Sequence, residues 1–99
     1  MRLSAVQKDI LYVLYGLEMR QGKVAPLPLI SLLRIVNSVR LQLLADTNFR
    51  RSCHTLNQHG LLEKYRDRQS LQLAFALSAT GREKAREIYQ TRINDMEEQ

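Results

Sequence analysis

One cysteine in 99 residues leaves no partner for an internal disulfide, and the helical period turns Cys53 inward. The chain is therefore expected to work in a reducing cytoplasm with an inert thiol, not as a redox sensor. No apolar run approaches the ~20 residues that span a bilayer, so no membrane partner is expected. No charged-then-apolar leader precedes the first helix signal, which argues against secretion. A glycine-rich phosphate loop and a Ser-His-Asp arrangement are both missing. His54 and His59 lie five apart, off one helical face, and with Cys53 turned inward they make no zinc set. Cys53 and His54 cannot act as nucleophile and base, because adjacent helical residues point apart. No catalytic residue, metal or cofactor is expected, and the chain does not read as an enzyme. Without repeats, low-complexity tracts or linkers, residues 1–99 read as one small domain, near the size at which a single core is adequate.

What is present is a soluble composition with an uneven charge. The chain is 44% hydrophobic and 25% charged, with a net charge of +5. Residues 1–68 carry eleven basic and five acidic side chains, whereas residues 69–99 carry four and five. A polyanion is thus a plausible partner for the front of the molecule, although +5 also serves solubility alone.

The stretch from Asp46 to Asp67, DTNFRRSCHTLNQHGLLEKYRD, organises the rest. Asp46 is a candidate helix N-cap. At about 100° per residue, Phe49, Cys53 and Leu56 share a narrow arc and form the expected buried seam. The opposite arc holds Thr47, Arg51, His54, Thr55 and Gln58, flanked by Asn48, Arg50 and Asn57. A helix that needed only solubility would carry more Glu and Lys there, since these are strong helix formers. Ser, Thr, Asn and His form helices less well but offer short-reach donors and acceptors, which suits contacts. Gly60 can supply the left-handed position that stops the helix, and Leu61-Leu62 returns the chain to the core.

Around this stretch, Ser4 to Gln7 has the form of a capping box opening a helix over about Ala5 to Arg20. That helix places Val6, Ile10, Val13, Leu14 and Leu17 on one face, with Tyr12 and Tyr15 as packing residues at its sides. Gln21-Gly22 ends it. In Lys23 to Pro28, KVAPLP, the first residues can form a short edge strand. Pro28 suits the first position of a second helix reaching Ser38, apolar around much of its circumference and expected to be deeply packed. Arg40 to Ala45 is open between a helix extension, an irregular loop and an extended segment; it is longer than the 3 to 4 residues of a tight helix-turn-helix. Leu61 to Arg66 reads as a strand and Asp67 to Ser70 as a turn. Leu71, Leu73, Phe75 and Leu77 then alternate with Gln72, Ala74 and Ala76 in the period-2 pattern of a half-buried strand. Ser78 is the expected N-cap of a last helix, residues 79–96. Its stripe of Ala85, Ile88, Tyr89, Ile93 and Met96 could cover the first helix or pair with a second copy. Residues 94–99 are expected to fray.

The fold class is therefore mainly α with a small β-hairpin, in the order helix, short strand, helix, helix, strand, strand, helix. This resembles a winged helix-turn-helix domain, in particular the small MarR-like and PadR-like bacterial regulators. The likeness is carried by Leu56 to Lys64, LNQHGLLEK, similar to a recognition helix entering the wing, and by Leu77 to Ala85, LSATGREKA, similar to the wing's exit. The resemblance implies that residues 46–59 enter the major groove of double-stranded DNA and that the 61–77 hairpin reaches phosphate or minor groove. Arg51 could take guanine O6 and N7 bidentately and Gln58 or Asn48 could read adenine, each contact giving about 1 to 3 kcal/mol of discrimination. Thr47 and Arg50 suit phosphates, His54 and Thr55 suit groove contacts, and Arg66 and Arg68 suit the wing. The expected function is a sequence-specific DNA-binding regulator acting as a homodimer. The alternatives are a protein-interaction module of the same fold in a larger assembly, or a DNA-binding role in replication or partition.

Overall fold

A computed structural model describes residues 2–97. The capping box at its start is formed: Ser4 Oγ accepts from the Gln7 amide at 3.1 Å, and the Ser4 amide donates to Gln7 Oε1 at 2.9 Å. Such a cap stabilises a helix by about 1 kcal/mol. It opens α1, Ala5–Gln21, which Gly22 closes at φ 79°, its amide donating to Glu18 O. The elements that follow are β1 Leu27–Pro28, α2 Leu29–Ser38, α3 Asp46–Gln58, β2 Leu62–Arg66, β3 Leu73–Leu77 and α4 Ala79–Glu97.

α1 is the spine of the molecule. Ile10, Leu11, Val13, Leu14 and Gly16 are buried along it, and it packs against α2, α3 and β3 as well as α4. Leu11 joins the expected apolar face because α1 is covered from several sides. Phe49, Cys53 and Leu56 of α3, Leu32 and Val36 of α2, and Phe75 of β3 fill the centre, all fully buried. The α3 seam is thus as its spacing predicts.

α4 lies along α1. Tyr89 stacks on Tyr12 with ring centres 5.3 Å apart and tilts against Tyr15 at 5.2 Å, so both tyrosines of α1 are packing residues. Arg82 grips Glu18 with two hydrogen bonds of 2.8 Å. At its start, Ser78 is the expected cap: Oγ accepts from the Gly81 amide at 2.9 Å and donates to Gly60 O at 2.6 Å. Asn94 to Glu97 continue the helix where fraying was expected, while positions 98 and 99 lie outside the described residues.

Five expectations are corrected. The hairpin is two strands of a three-stranded antiparallel sheet in the order β1-β3-β2, with Leu27 opposite Phe75 and Pro28 opposite Ala74. β1 comes from the end of the KVAPLP run, and at the sheet edge the missing amide of Pro28 costs no ladder bond. α2 begins at Leu29, with Pro28 as its N-cap. It is less deeply packed than its apolar circumference suggests: Ile30 is 55% exposed, because α2 has the core on one side only. Leu71 leaves the strand pattern, standing 64% exposed at φ 60° in the turn. Asp46 does not cap α3; Ala45 is the N-cap and Asp46 is the first helical residue. A carboxylate there still favours the positive end of the helix. Residues 40–45, open from sequence, are an irregular loop.

Candidate nucleic-acid interface

α3 is held from its buried side and its C-terminal end, which leaves its outer face free. Its end is a left-handed stop at Gly60, φ 77°, with the Gly60 amide donating to Asn57 O at 3.0 Å and the Leu61 amide to Leu56 O at 2.9 Å. Those two bonds satisfy carbonyls that the helix leaves open and bring Leu61 back over Leu56. The Asn57 side chain donates to Leu62 O at 2.9 Å, tying α3 to the root of the wing. Asn57 was legible as a flanking polar residue, but its partner lies across the turn and is fixed only by the stop at Gly60.

Thr47, Asn48, Arg50, Arg51 and Gln58 are exposed, and His54 and Thr55 are half-buried. Arg50 pairs with Asp46 one turn earlier at 3.4 Å, an exposed contact of the kind that contributes little, about 0–1 kcal/mol. Among the described residues, Arg51 has no ion pair and no side-chain hydrogen bond. The His54 ring stands edge-on to Phe75 with centres 5.9 Å apart, so part of its surface serves the root of the wing.

The wing pairs Leu62 with Leu77 through to Arg66 with Leu73. Asp67 organises its tip: its carboxylate accepts from the Gln69 amide at 2.8 Å and the Ser70 amide at 3.3 Å, and these bonds hold its carboxyl below the usual range. Arg66 donates to Leu71 O at 2.7 Å, which braces the turn, and both Arg66 and Arg68 are exposed. Lys64, unremarked in the sequence, is a further exposed cation on β2; the strand period carries its position, but only the sheet shows it uncovered. A cleft of about 250 Å³ is lined by Arg50 of α3, Arg66 and Leu71 to Leu73 of the wing, and Leu29 and Ile30 of α2. Arg50 of the helix and Arg66 of the wing therefore meet at one cleft.

No family model and no curated protein sequence matches the chain. Solved structures do. SSV1 F-93 superposes with a TM-score of 0.71 at 14% identity, covering 100% of this chain and 98% of F-93. The adhesin competence repressor AdcR of Streptococcus pyogenes superposes at 0.74 and 15% identity, over 97% of this chain and 62% of AdcR. The chain has a winged helix-turn-helix fold. Staphylococcus aureus MepR, a transcription regulator of the multidrug efflux pump MepA, is similar at 0.67 and 16% identity, over 97% of this chain and 62% of MepR. The winged helix thus spans less than two thirds of AdcR and MepR but nearly all of F-93.

In this winged helix, Arg50 and Arg66 are the sequence-predicted residues of α3 and the wing that line one cleft. The α4 stripe divides differently. Ala85 is fully buried, Tyr89 stacks on Tyr12, and Ile88 packs on the core, so these residues cover α1. Ile93 is half-buried and Met96 is 64% exposed. Among the described residues, no group of His, Cys, Asp or Glu could hold a metal ion, and no helix is long and apolar enough to cross a membrane.

Proposed function

We propose that this chain binds double-stranded DNA in the cytoplasm as a dimeric transcription regulator, laying α3 in the major groove with the wing on the flanking backbone. The observation that carries this reading is the meeting of Arg50 and Arg66 at one cleft, beside an exposed α3 face rich in short hydrogen-bonding side chains. Phosphate contacts supply most of the affinity and base contacts the specificity. Arg51, free of internal partners among the described residues, is the side chain for guanine; Gln58 and Asn48 suit adenine, and Thr47 at the helix N-terminus suits a phosphate. Arg50, Arg66 and Arg68 add backbone contacts, with Thr55 and the exposed edge of His54 at the groove wall. Replication or partition would use the same binding step.

A gel shift at graded salt tests this. Arg51→Ala is expected to cost about 1–3 kcal/mol on a preferred site and to relax specificity. Arg68→Ala should weaken all duplexes evenly and lower the salt slope by about one unit. Binding indifferent to both substitutions, or no binding at low salt, would refute the reading.

A second reading, an interaction module in a larger assembly, is favoured by the exposed Val39, Leu41, Leu43 and Met96. The end of α4, Met96 with Ile93, is also where a second copy has apolar surface to meet. Light scattering of Met96→Asp separates these: halved mass supports the dimer through α4, and a wild type that is already monomeric removes it.

A further inference from the structure

Three charged side chains converge where the loop that precedes α3 begins. Asp9, on α1, has a side chain only 15% exposed and accepts from two guanidinium groups. Arg40 Nη1 bonds one carboxylate oxygen, and Arg92 Nη2 bonds the other at 2.7 Å. Arg40 begins the loop between α2 and α3 and also donates from Nε to Gln42 O at 3.2 Å. Arg92 belongs to α4 and lies 4.7 Å over the Tyr12 ring. One carboxylate therefore joins the spine, the outer helix and the loop that delivers α3.

Apart from Leu44, which is half-buried against the core, that loop has little else to hold it. Leu41 and Leu43 are exposed, and the other side-chain anchor is Asn37 Oδ1, which accepts from the Leu44 amide at 2.9 Å. A segment with few buried apolar contacts opens easily unless polar ties restrain it. The first turn of α3 has no side-chain cap of its own. Its entry angle then depends on where residues 40–45 are staked.

We propose that Asp9 is a positioning residue for DNA recognition: through Arg40 it fixes the loop before α3, and through Arg92 it references that loop to α4. This rests on the DNA-binding reading above. An error of an ångström at the head of α3 leaves phosphate attraction intact and spoils the alignment of base contacts, so the effect falls on discrimination rather than on bulk affinity.

Asp9→Asn separates positioning from charge because the two predict opposite signs. Removing a negative charge from a basic chain strengthens attraction to any DNA. Loss of positioning weakens the preferred site relative to others. The probes are a duplex selected by the wild type from a random pool and a scrambled duplex of equal composition. The expected result is an affinity ratio between them that falls about tenfold, or about 1.4 kcal/mol, with scrambled-duplex binding equal or tighter and the salt slope unchanged. Asp9→Glu, which keeps the carboxylate, should recover a ratio closer to wild type. Arg40→Gln, which leaves the Asp9–Arg92 pair in place, should also lower the ratio, and covers the case in which Asp9→Asn does not fold. Hydrogen exchange gives a readout without DNA: the Leu44 and Phe49 amides should exchange faster in Asp9→Asn while Leu56 and β3 stay protected. An unchanged ratio with unchanged exchange overturns the proposal, as does uniform loss of protection, which marks a merely structural role. A wild type that selects no duplex defeats the DNA reading instead, and the exchange data still decide whether Asp9 stakes the loop.

Discussion

Gly81→Ala tests the join between the wing and α4. A Cβ built on Gly81 would lie 1.8 Å from Leu61 O, 2.7 Å from Leu61 C and 3.1 Å from Leu61 Cα. All three atoms are backbone, so no side chain can swing away. The same carbonyl accepts from the Ser78 amide at 3.2 Å, and Ser78 Oγ holds Gly60 O, so the corner cannot retreat without losing those bonds. Relief requires moving α4 from the corner by well over an ångström. Overpacking of this kind costs about 1–3 kcal/mol and occasionally more, and a backbone obstacle places Gly81→Ala at the upper end. At ~3 kcal/mol the thermal midpoint of a domain this size falls by about 12–24 °C. Gly16→Ala is the matched control. It lies inside α1, and its nearest neighbour is Tyr89 Cε2 at 3.7 Å, an ordinary contact. There the added methyl should stabilise by about 0.5–1 kcal/mol, since glycine inside a helix carries an entropic penalty. Urea and thermal unfolding of the two variants should therefore move in opposite directions. A Gly81→Ala midpoint at or above wild type would show that α4 does not rest on Leu61 and would sink the argument.

Burial pushes the Cys53 thiol up to about 12 against a slight opposing pull from Arg50, so a thiol reagent at pH 8 should label it only in denaturant. Because its folded pKa is raised above the unfolded value, its contribution to stability is complete below about pH 9 and is lost as pH rises toward 12. Denaturation midpoints of Cys53→Ala should decline less over that window than those of wild type; equal decline would count against it. Leu71→Gly should stabilise the wing by up to about 1 kcal/mol, because a left-handed non-glycine residue is strained and Leu71 has little burial to lose. A fall in the urea midpoint would mean that Leu71 contributes more packing in its cleft than the strain costs.

The order of elements and the α3 seam were legible because they depend on local periodicity. Phe49, Cys53 and Leu56 must face one way on any helix, and the Gly60 stop needs only neighbouring carbonyls. The exposed contact face followed by subtraction. Leu71 was misplaced because period-2 alternation carries no sign of a left-handed turn, and Ile30 because apolar character does not say how many neighbours will come. The α4 stripe shows the same limit. Its spacing fits a second copy as well as α1, and only the stacking of Tyr89 on Tyr12 shows what covers most of it.

The sequence by itself determined the inward seam of α3, the capping box that opens α1, the Gly60 stop, and which side chains α3 offers outward. All of these follow from interactions within a few residues along the chain. Only the tertiary structure decided that Asp9 meets both Arg40 and Arg92, that Gly81 lies against Leu61, and that the KVAPLP run contributes a strand to β3. Those contacts join positions far apart in sequence, and their partners are selected by packing around α1, for which no local pattern codes.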